Sequence, residues 1–290
     1  MFEGISTALV TPFRDGEIDE HALHQLVERQ IAAGVDSLIP CGCTGESATL
    51  SHDEHRRVVE IVVAAASGRV AVLAGTGSNN TQEAIELTLH AKQAGADGAL
   101  LISPYYNKPT QEGIYEHYRE IAQHTALPLL VYNIPGRTCS NISPSTMARL
   151  ADVPGIVGVK DACCDIAQIS KAISRCHDDF VFLSGDDALI LPIAAVGGRG
   201  VISTTSNVAP TEVGELVRAC RAGDMSRARK LHYDLLPLMD ALFCETNPIP
   251  VKTALGLMGL IDPEIRLPLT PISDANRERI QVVLKERGHL

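Results

Sequence analysis

The 290-residue chain lacks the features of membrane, exported and nucleic-acid-binding proteins. No apolar stretch reaches the ~20 residues that cross a bilayer. The first four residues, Met1-Phe2-Glu3-Gly4, show neither the basic region nor the apolar core of a signal peptide. Acidic residues outnumber basic ones by 35 to 25, and the formal charge of -10 argues against a nucleic-acid-binding surface. We therefore expect a cytoplasmic protein that binds neither membranes nor nucleic acid.

Several cofactor and catalytic motifs are also missing. Cys41 and Cys43 have no second cysteine pair at metal-ligand spacing, and His52-Asp53-Glu54-His55 matches neither zinc-helix motif. The sequence contains no complete nucleotide fingerprint and no Gly-x-Ser-x-Gly serine-hydrolase elbow. Eight cysteines in so long a chain do not resemble the framework of a small secreted domain, so we expect reduced thiols. These absences predict a protein without a metal site.

What the sequence does contain is a regular alternation of short apolar or β-branched runs with segments of helical period. Such alternation is typical of βα units on a parallel sheet. The predicted strands cover residues 5–11, 37–41, 70–75, 99–103, 129–133, 156–160, 180–184 and 200–203. Helical patterns include residues 21–33, 53–66, 81–94 and 111–125. Eight units predict an α/β fold, a (β/α)8 TIM barrel over residues 1–222, followed by a C-terminal helical extension over residues 223–290.

Lys160 ends a run, Ile156-Val157-Gly158-Val159, that otherwise has the composition of a buried strand. A buried ammonium is costly unless it is paired or loses its proton. An isolated strand-end lysine usually reaches the surface or pairs with a carboxylate. Here, however, polar residues follow the other predicted strands at the same end of the barrel, where catalysis gathers in this architecture. We therefore interpret Lys160 as an amine that burial keeps neutral for attack on a carbonyl.

Three motifs resemble those of the pyruvate-dependent Schiff-base aldolase family: Gly42-Cys43-Thr44-Gly45-Glu46-Ser47, Tyr132-Asn133-Ile134-Pro135-Gly136-Arg137-Thr138 and Gly158-Val159-Lys160-Asp161. The likeness runs almost end to end, through residues 103–109, 184–187 and 247–252. It implies a barrel fold, in agreement with the periodicity, and a lyase that needs no metal or organic cofactor. The implied reaction condenses pyruvate, as an enamine on Lys160, with L-aspartate 4-semialdehyde in the diaminopimelate route to L-lysine.

The resemblance also implies a catalytic role for each matching residue. Tyr132 would carry protons to and from the reacting centre. Tyr106 would complete a hydroxyl relay with Tyr132 and residue 43, and in the family it reaches into the neighbouring subunit's site. That arrangement implies a homo-oligomer, for which we favour a tetramer built as a dimer of dimers over a simple dimer. Thr44 and the amides of its turn would hold the pyruvate carboxylate.

Substrate-binding roles follow in the same way. Arg137 would grip the carboxylate of the semialdehyde through a forked pair of hydrogen bonds. Gly185 and Ile202 match pocket-lining positions near the lysine. Cys43 departs from the family pattern, which commonly has threonine there. Because a thiol is a weaker and longer donor than a hydroxyl, we expect this enzyme to be slower than a Cys43→Thr variant.

A second site is implied by residues that match the feedback-inhibitor positions of many relatives, where L-lysine binds. In that site Glu83 would take the ammonium of the ligand, while Asn79 and Tyr105 would hold its carboxylate. The matching residues are Ser47, Ala48, His52, His55, Asn79, Glu83 and Tyr105.

Two alternatives compete with this interpretation. The first is a relative that uses the same Schiff base on another aldehyde, as for N-acetylneuraminate or 2-keto-3-deoxygluconate. Arg137 argues against it, because a sugar acceptor calls for hydroxyl-binding groups and not a carboxylate fork. The second is a lysine-binding regulatory protein on a barrel that is no longer catalytic, which the presence of both Lys160 and Tyr132 disfavours.

Overall fold

The computed structural model describes residues 2–290, and within them parallel strands close into a barrel in which β1 pairs with both β2 and β8. The predicted TIM-barrel fold is therefore confirmed. Its strands are β1 (Gly4–Ala8), β2 (Ser37–Ile39), β3 (Ala71–Gly75), β4 (Gly98–Ile102), β5 (Leu129–Asn133), β6 (Ile156–Asp161), β7 (Val181–Ser184) and β8 (Gly200–Ser203).

Helices cover the outside of the barrel and form the C-terminal extension. They are α1 (Glu20–Ala32), α2 (His52–Ala66), α3 (Thr81–Ala94), α4 (Gln111–Thr125), α5 (Pro135–Thr138), α6 (Pro144–Ala151), α7 (Ile166–Ile173), α8 (Ile190–Ala195), α9 (Pro210–Arg221), α10 (Met225–Leu242), α11 (Ile249–Leu257) and α12 (Asp274–Glu286). Within residues 2–290, no helix is both long enough and apolar enough to cross a membrane.

The first two strands end earlier than the apolar pattern predicts. β1 stops at Ala8 and not at residue 11, because the Val10 amide turns to Asn207 Oδ1 instead of continuing the ladder. β2 stops at Ile39 and not at residue 41. Pro40 has no N–H for the ladder, and Cys41 has a left-handed φ of 56°. Both departures release the chain into loops at the carboxyl end of the barrel.

The barrel interior is filled by apolar side chains from neighbouring strands. They form one buried cluster of Ala8, Ile39, Leu73, Leu100, Leu130, Tyr132, Val181, Leu183 and Ile202. Gly158 on β6 is needed for close strand approach, because a Cβ atom there would lie 2.4 Å from the carbonyl oxygen of Val181.

The C-terminal helices pack on the barrel through a separate apolar cluster. Leu238, Val251 and Ile280 from these helices meet Val10 and Leu26 of the barrel. The predicted boundary at residues 222 and 223 lies in the turn between α9 and α10. We propose that it separates two architectural parts that share a core, and not two independently folding domains.

Candidate active site

Lys160 lies near the carboxyl end of β6 and is buried, with 6% of its surface exposed. Its register partner on β5 is Tyr132, and Lys160 Nζ lies 4.3 Å from the centroid of the Tyr132 ring. Burial lowers the pKa of Lys160 to about 8, because the ammonium loses hydration inside the barrel. On the order of one amine in ten is then unprotonated at neutral pH.

A second buried lysine, Lys252 on α11, shows by contrast what is special about Lys160. Lys252 Nζ donates to Glu46 Oε1 at 2.6 Å and to the carbonyl oxygen of Thr11 at 2.9 Å. In the described part of the chain, no carboxylate forms an ion pair with Lys160. An ammonium without a partner gives up its proton more easily. Of the two lysines, Lys160 is therefore the one suited to nucleophilic attack.

Tyr132 is buried beside Lys160, and burial raises the pKa of its phenol well above the usual range. The hydroxyl therefore stays protonated near neutral pH and can both donate and accept a hydrogen bond. Cys43, on the turn that follows β2, lines the same cavity as Tyr132. The structure thus places Tyr132, the predicted proton carrier, and Cys43, the residue that differs from the family pattern, near Lys160.

Thr44 occupies the same turn and is buried between two residues from distant parts of the chain. Its Oγ1 lies 3.3 Å from Thr204 Oγ1, after β8, and accepts a hydrogen bond from Asn247 Nδ2 at 3.0 Å. The turn is closed by the Gly45 amide, which donates to the Gly42 carbonyl oxygen at 3.0 Å. A turn of this kind presents small side chains and amides to an anion.

Arg137 belongs to the short helix α5, just after β5, and lines the cavity with Tyr132. Its Nη2 donates to the carbonyl oxygen of Asn247 at 3.0 Å. Asn247 therefore holds both Thr44, through its side chain, and Arg137, through its main chain. These contacts place a hydroxyl and a guanidinium, both predicted to bind substrate carboxylates, at the same mouth of the barrel.

The remaining predicted pocket residues have different environments. The Gly185 amide donates to the Asp161 carbonyl oxygen at 2.7 Å, and a Cβ atom at Gly185 would lie 2.8 Å from that of Ala162. Ile202 is buried in the barrel interior with Tyr132. Tyr106 stands apart from this group, since 87% of its surface is exposed and its φ is 71°. Within one chain, the structure does not bring Tyr106 to Lys160.

One cavity of about 480 Å³ joins two of the predicted catalytic residues, Cys43 and Tyr132, to most of the predicted inhibitor-binding residues. Cys43, Tyr132 and Arg137 line one part, and the other part is lined by Ser47, Ala48, His52, His55, Glu83 and Tyr105. Asn79 is not one of the described residues that line the cavity. Its carbonyl oxygen accepts a hydrogen bond from Asn107 Nδ2 at 2.9 Å. Lys160 likewise lies next to the lining residues and not on the wall.

In the part of the cavity lined by the predicted inhibitor-binding residues, the carboxylate of Glu83 already has hydrogen-bond partners. Glu83 Oε1 lies 2.9 Å from His52 Nε2, and the Ser78 hydroxyl donates to Glu83 Oε2. His55 Nε2 donates to the Gly75 carbonyl oxygen at 2.8 Å, and burial lowers the pKa of His55, which keeps the ring neutral. An ammonium ligand would therefore meet the carboxylate of Glu83 close to a neutral His55 ring.

Sequence reasoning assigned no role to several residues that shape this site. Buried Asp187 accepts from the amides of Thr204 and Thr205 at 3.1 and 2.8 Å, which orders the turn that presents Thr204 to Thr44. Burial raises the pKa of Asp187. Lys252, like Lys160, is a lysine within an apolar run, so the sequence feature that identified Lys160 was also present at Lys252. In residues 2–290, no group of three or more His, Cys, Asp or Glu side chains is placed to hold a metal ion.

Comparison with known proteins gives one consistent result. A family model described as the dihydrodipicolinate synthetase family matches residues 1–287. A 4-hydroxy-tetrahydrodipicolinate synthase of Nitratidesulfovibrio vulgaris is 56% identical over 290 residues, which cover 100% of this chain and 99% of the relative. The crystal structure of a dihydrodipicolinate synthase from Aquifex aeolicus superposes with a TM-score of 0.98 at 50% identity, covering 99% of this chain and 98% of that one.

Two further solved structures contain small molecules. A dihydrodipicolinate synthase from Acinetobacter baumannii complexed with pyruvate is 45% identical, with a TM-score of 0.98 and 100% of both chains covered. An enzyme of the same name from Cyanidioschyzon merolae with lysine bound is 39% identical, with a TM-score of 0.96, and covers 100% of this chain and 99% of that one.

Proposed function

Because the chain belongs to the dihydrodipicolinate synthetase family and is a lyase, we propose that it condenses pyruvate with L-aspartate 4-semialdehyde through a Schiff base on Lys160. The observation that carries the proposal is the buried Lys160 amine, without an ion-pair partner in the described chain and directly beside Tyr132. The names of the relatives support the reaction, and the pyruvate complex of a neighbour supports the first substrate.

The chemistry begins with attack of the Lys160 amine on the ketone carbon of pyruvate, with loss of water to form an imine. The protonated imine then withdraws electrons from the methyl group, which loses a proton to give an enamine. The enamine carbon attacks the aldehyde carbon of the semialdehyde and forms the new carbon–carbon bond. Finally, the amino group of the semialdehyde attacks the imine carbon, closes a six-membered ring and releases Lys160.

Tyr132 is the group best placed to move protons in these steps. Its raised pKa keeps the phenol protonated, so it can donate to the departing water and then accept from a reacting hydroxyl. Cys43, which lines the same cavity, would relay the proton less efficiently than a threonine because a thiol is the weaker donor. The relay would be completed by Tyr106 from a second copy of the chain.

Each substrate carboxylate has its own binding group in this scheme. Thr44 and the amides of the 42–45 turn would hold the carboxylate of pyruvate near Lys160. Arg137 would grip the carboxylate of the semialdehyde, while its bond to the Asn247 carbonyl oxygen orients the guanidinium. A sugar aldehyde offers no such carboxylate, so Arg137 favours the amino-acid aldehyde.

Borohydride trapping tests the proposal directly, because reduction turns the imine into a stable secondary amine. After incubation with pyruvate and borohydride, intact mass and peptide mapping should find one pyruvate adduct, located on Lys160. Arg137→Lys should then raise the KM for the semialdehyde by about tenfold or more while leaving trapping unchanged, since a lysine cannot form the forked contact. A folded protein without an adduct would instead favour the non-catalytic lysine-binding alternative.

We further propose that L-lysine inhibits this enzyme by binding at the His52 and Glu83 end of the cavity. Glu83 would receive the side-chain ammonium of the ligand in place of His52, and Tyr105 would contact its carboxylate. The lysine-bound neighbour from Cyanidioschyzon merolae supports the choice of ligand. Because the same cavity reaches Tyr132 and Arg137, a ligand at one end can influence groups at the other.

We also propose a homo-oligomer in which Tyr106 enters the site of a neighbouring copy. A tyrosine that is 87% exposed and held at a φ of 71° gains little from the single chain. Contact with a second copy would bury the ring and complete the relay at Tyr132. A tetramer formed as a dimer of dimers and a cytoplasmic location stay predictions.

A further inference from the structure

The turn that carries Thr44 contains a residue in an unfavourable backbone conformation. Glu46, two residues after Thr44, has φ 54° and ψ 36°, the left-handed region that favours glycine. Such a conformation persists only where the surrounding structure holds it. The contacts of Glu46 therefore determine whether the 42–47 turn keeps its shape.

Glu46 is held on both carboxylate oxygens by the C-terminal extension. Its Oε1 accepts from Lys252 Nζ at 2.6 Å, and its Oε2 accepts from the Arg266 amide at 3.2 Å. The side chains of Glu46 and Lys252 are each only 1% exposed. Arg266 is itself tied to α2 by a pair of hydrogen bonds to Glu54.

Lys252 connects the same turn to the loop after β1. Its Nζ donates to the Thr11 carbonyl oxygen at 2.9 Å and lies 4.2 Å from the centroid of the Phe13 ring. The Thr11 hydroxyl in turn donates to the Gly45 carbonyl oxygen at 2.7 Å. The ion pair thus lies at the junction of two active-site loops and α11.

Stability alone does not explain an ion pair in this position. Removing two charges from water is costly, and well-packed apolar residues of similar volume are often as stable or more stable than a buried pair. An apolar pair cannot fix the orientation of the neighbouring main chain, because dispersion contacts lack the directional geometry of hydrogen bonds. A role in holding a specific backbone shape accounts for the charges.

We propose that the buried Glu46–Lys252 ion pair is a positioning device that holds Glu46 in its left-handed conformation, fixes the shape of the 42–47 turn and so aligns Thr44 for the carboxylate of pyruvate. The link to pyruvate rests on the proposed function, whereas the locking of the turn does not. The pair acts through Thr44. It also makes the C-terminal extension part of the catalytic apparatus.

The test compares the full-length protein with the double variant Glu46→Gln/Lys252→Met, which removes both charges and leaves no unpaired ion in the core. Hydrogen exchange at the amides of residues 43–47, the melting temperature and the kinetic constants for pyruvate are measured. The matched control is Glu3→Gln/Arg199→Met, which removes a half-buried ion pair of 2.8 Å at the opposite end of the barrel. Glu46→Gln/Lys252→Gln, which keeps a donor for Thr11 and also leaves no unpaired ion, serves as a second variant should the first double variant fail to fold.

We expect the double variant to fold with turn amides that exchange about tenfold faster, while amides of the barrel strands keep their protection. The KM for pyruvate should rise about tenfold with kcat within about threefold of wild type, as expected for lost ground-state alignment. The control variant should change neither the exchange of the turn amides nor the KM for pyruvate. Unchanged exchange in the turn, in either of these two double variants, would overturn the proposal. Absence of a borohydride adduct on the wild-type protein would reject the Schiff-base function alone, because exchange still decides whether the pair locks the turn.

Discussion

Lys160 and Tyr132 are register partners on adjacent barrel strands, and the lysine nitrogen lies 4.3 Å from the centroid of the tyrosine ring. The face of an aromatic ring attracts a cation, so this contact favours the ammonium form. Burial favours the neutral amine and is the largest influence on the pKa of Lys160, which falls to about 8. In the proposed mechanism the ring would thus stabilise the positively charged imine without preventing formation of the amine that makes it.

The rate of adduct formation with pyruvate should depend on the pKa of Lys160. Burial lowers this pKa in the folded protein, so the reactive amine is scarce below about pH 8 and abundant above it. The trapping rate should therefore rise about tenfold per pH unit below 8 and level off above that value. Quenched samples between about pH 6 and 10, analysed by intact mass, give the profile. A midpoint near the ordinary lysine value would contradict the assigned effect of burial.

Removing only the hydroxyl of Tyr132 should slow turnover strongly. In Tyr132→Phe the ring still packs against Lys160, so the adduct should form, but proton transfer is lost and kcat should fall by about 10²- to 10⁴-fold. Steady-state kinetics measure this effect. Tyr233→Phe is the control, because that ring is exposed on α10, in the C-terminal extension. It should leave both the stability and kcat unchanged.

Replacing the thiol of Cys43 by a hydroxyl should accelerate the enzyme. Cys43→Thr restores a stronger and shorter donor next to Tyr132, so kcat should rise by a few-fold, about the effect of one improved hydrogen bond. Turnover is compared with wild type at matched thermal stability. Cys220→Ser, in α9, controls for the loss of a thiol elsewhere. Equal or lower turnover in Cys43→Thr would show that the thiol does not limit the relay.

Titration with L-lysine should lower the reaction rate, and Glu83→Gln should weaken that inhibition. A hydrogen bond to a charged partner contributes about 1.5–3 kcal/mol, so the inhibitory concentration should rise at least about tenfold in the variant. Glu86→Gln, on the same helix α3, provides a matched loss of charge. An unchanged rate in the presence of L-lysine would remove the inhibitor site from the proposal.

If Tyr106 acts across subunits, the inactive variants Tyr106→Ala and Lys160→Ala should regain activity when they assemble together. In an equal mixture of Tyr106→Ala and Lys160→Ala chains, half of the dimers are mixed, and one of their two sites contains both native residues. About a quarter of wild-type activity should then return after co-expression. Sedimentation measures assembly of each variant. Activity no higher than the sum of the separate variants would place Tyr106 outside the neighbouring site.

Local patterns predicted much of this fold because they depend on neighbouring residues. Helices α3 and α4 and strands β5 and β8 begin and end where their periodicity changes. The same patterns overran β1 and β2, where Pro40 and a tertiary contact to Asn207 end the ladders. Lys160 was recognisable because a strand end in a barrel leads to the active site. The hydrogen bonds of Asn247 were not recognisable from the sequence, since a periodic pattern does not encode them.

By itself, the sequence determined the element types, their order and the mouth of the barrel at which the polar strand ends gather. Only the tertiary structure decided the difference between the two buried lysines. Lys252 meets Glu46, 206 positions away along the chain, and forms a buried ion pair. Lys160 meets the ring of Tyr132 and, within residues 2–290, forms no ion pair with a carboxylate. The physical reason is that the charge of a buried group depends on hydration and on partners that only folding brings together.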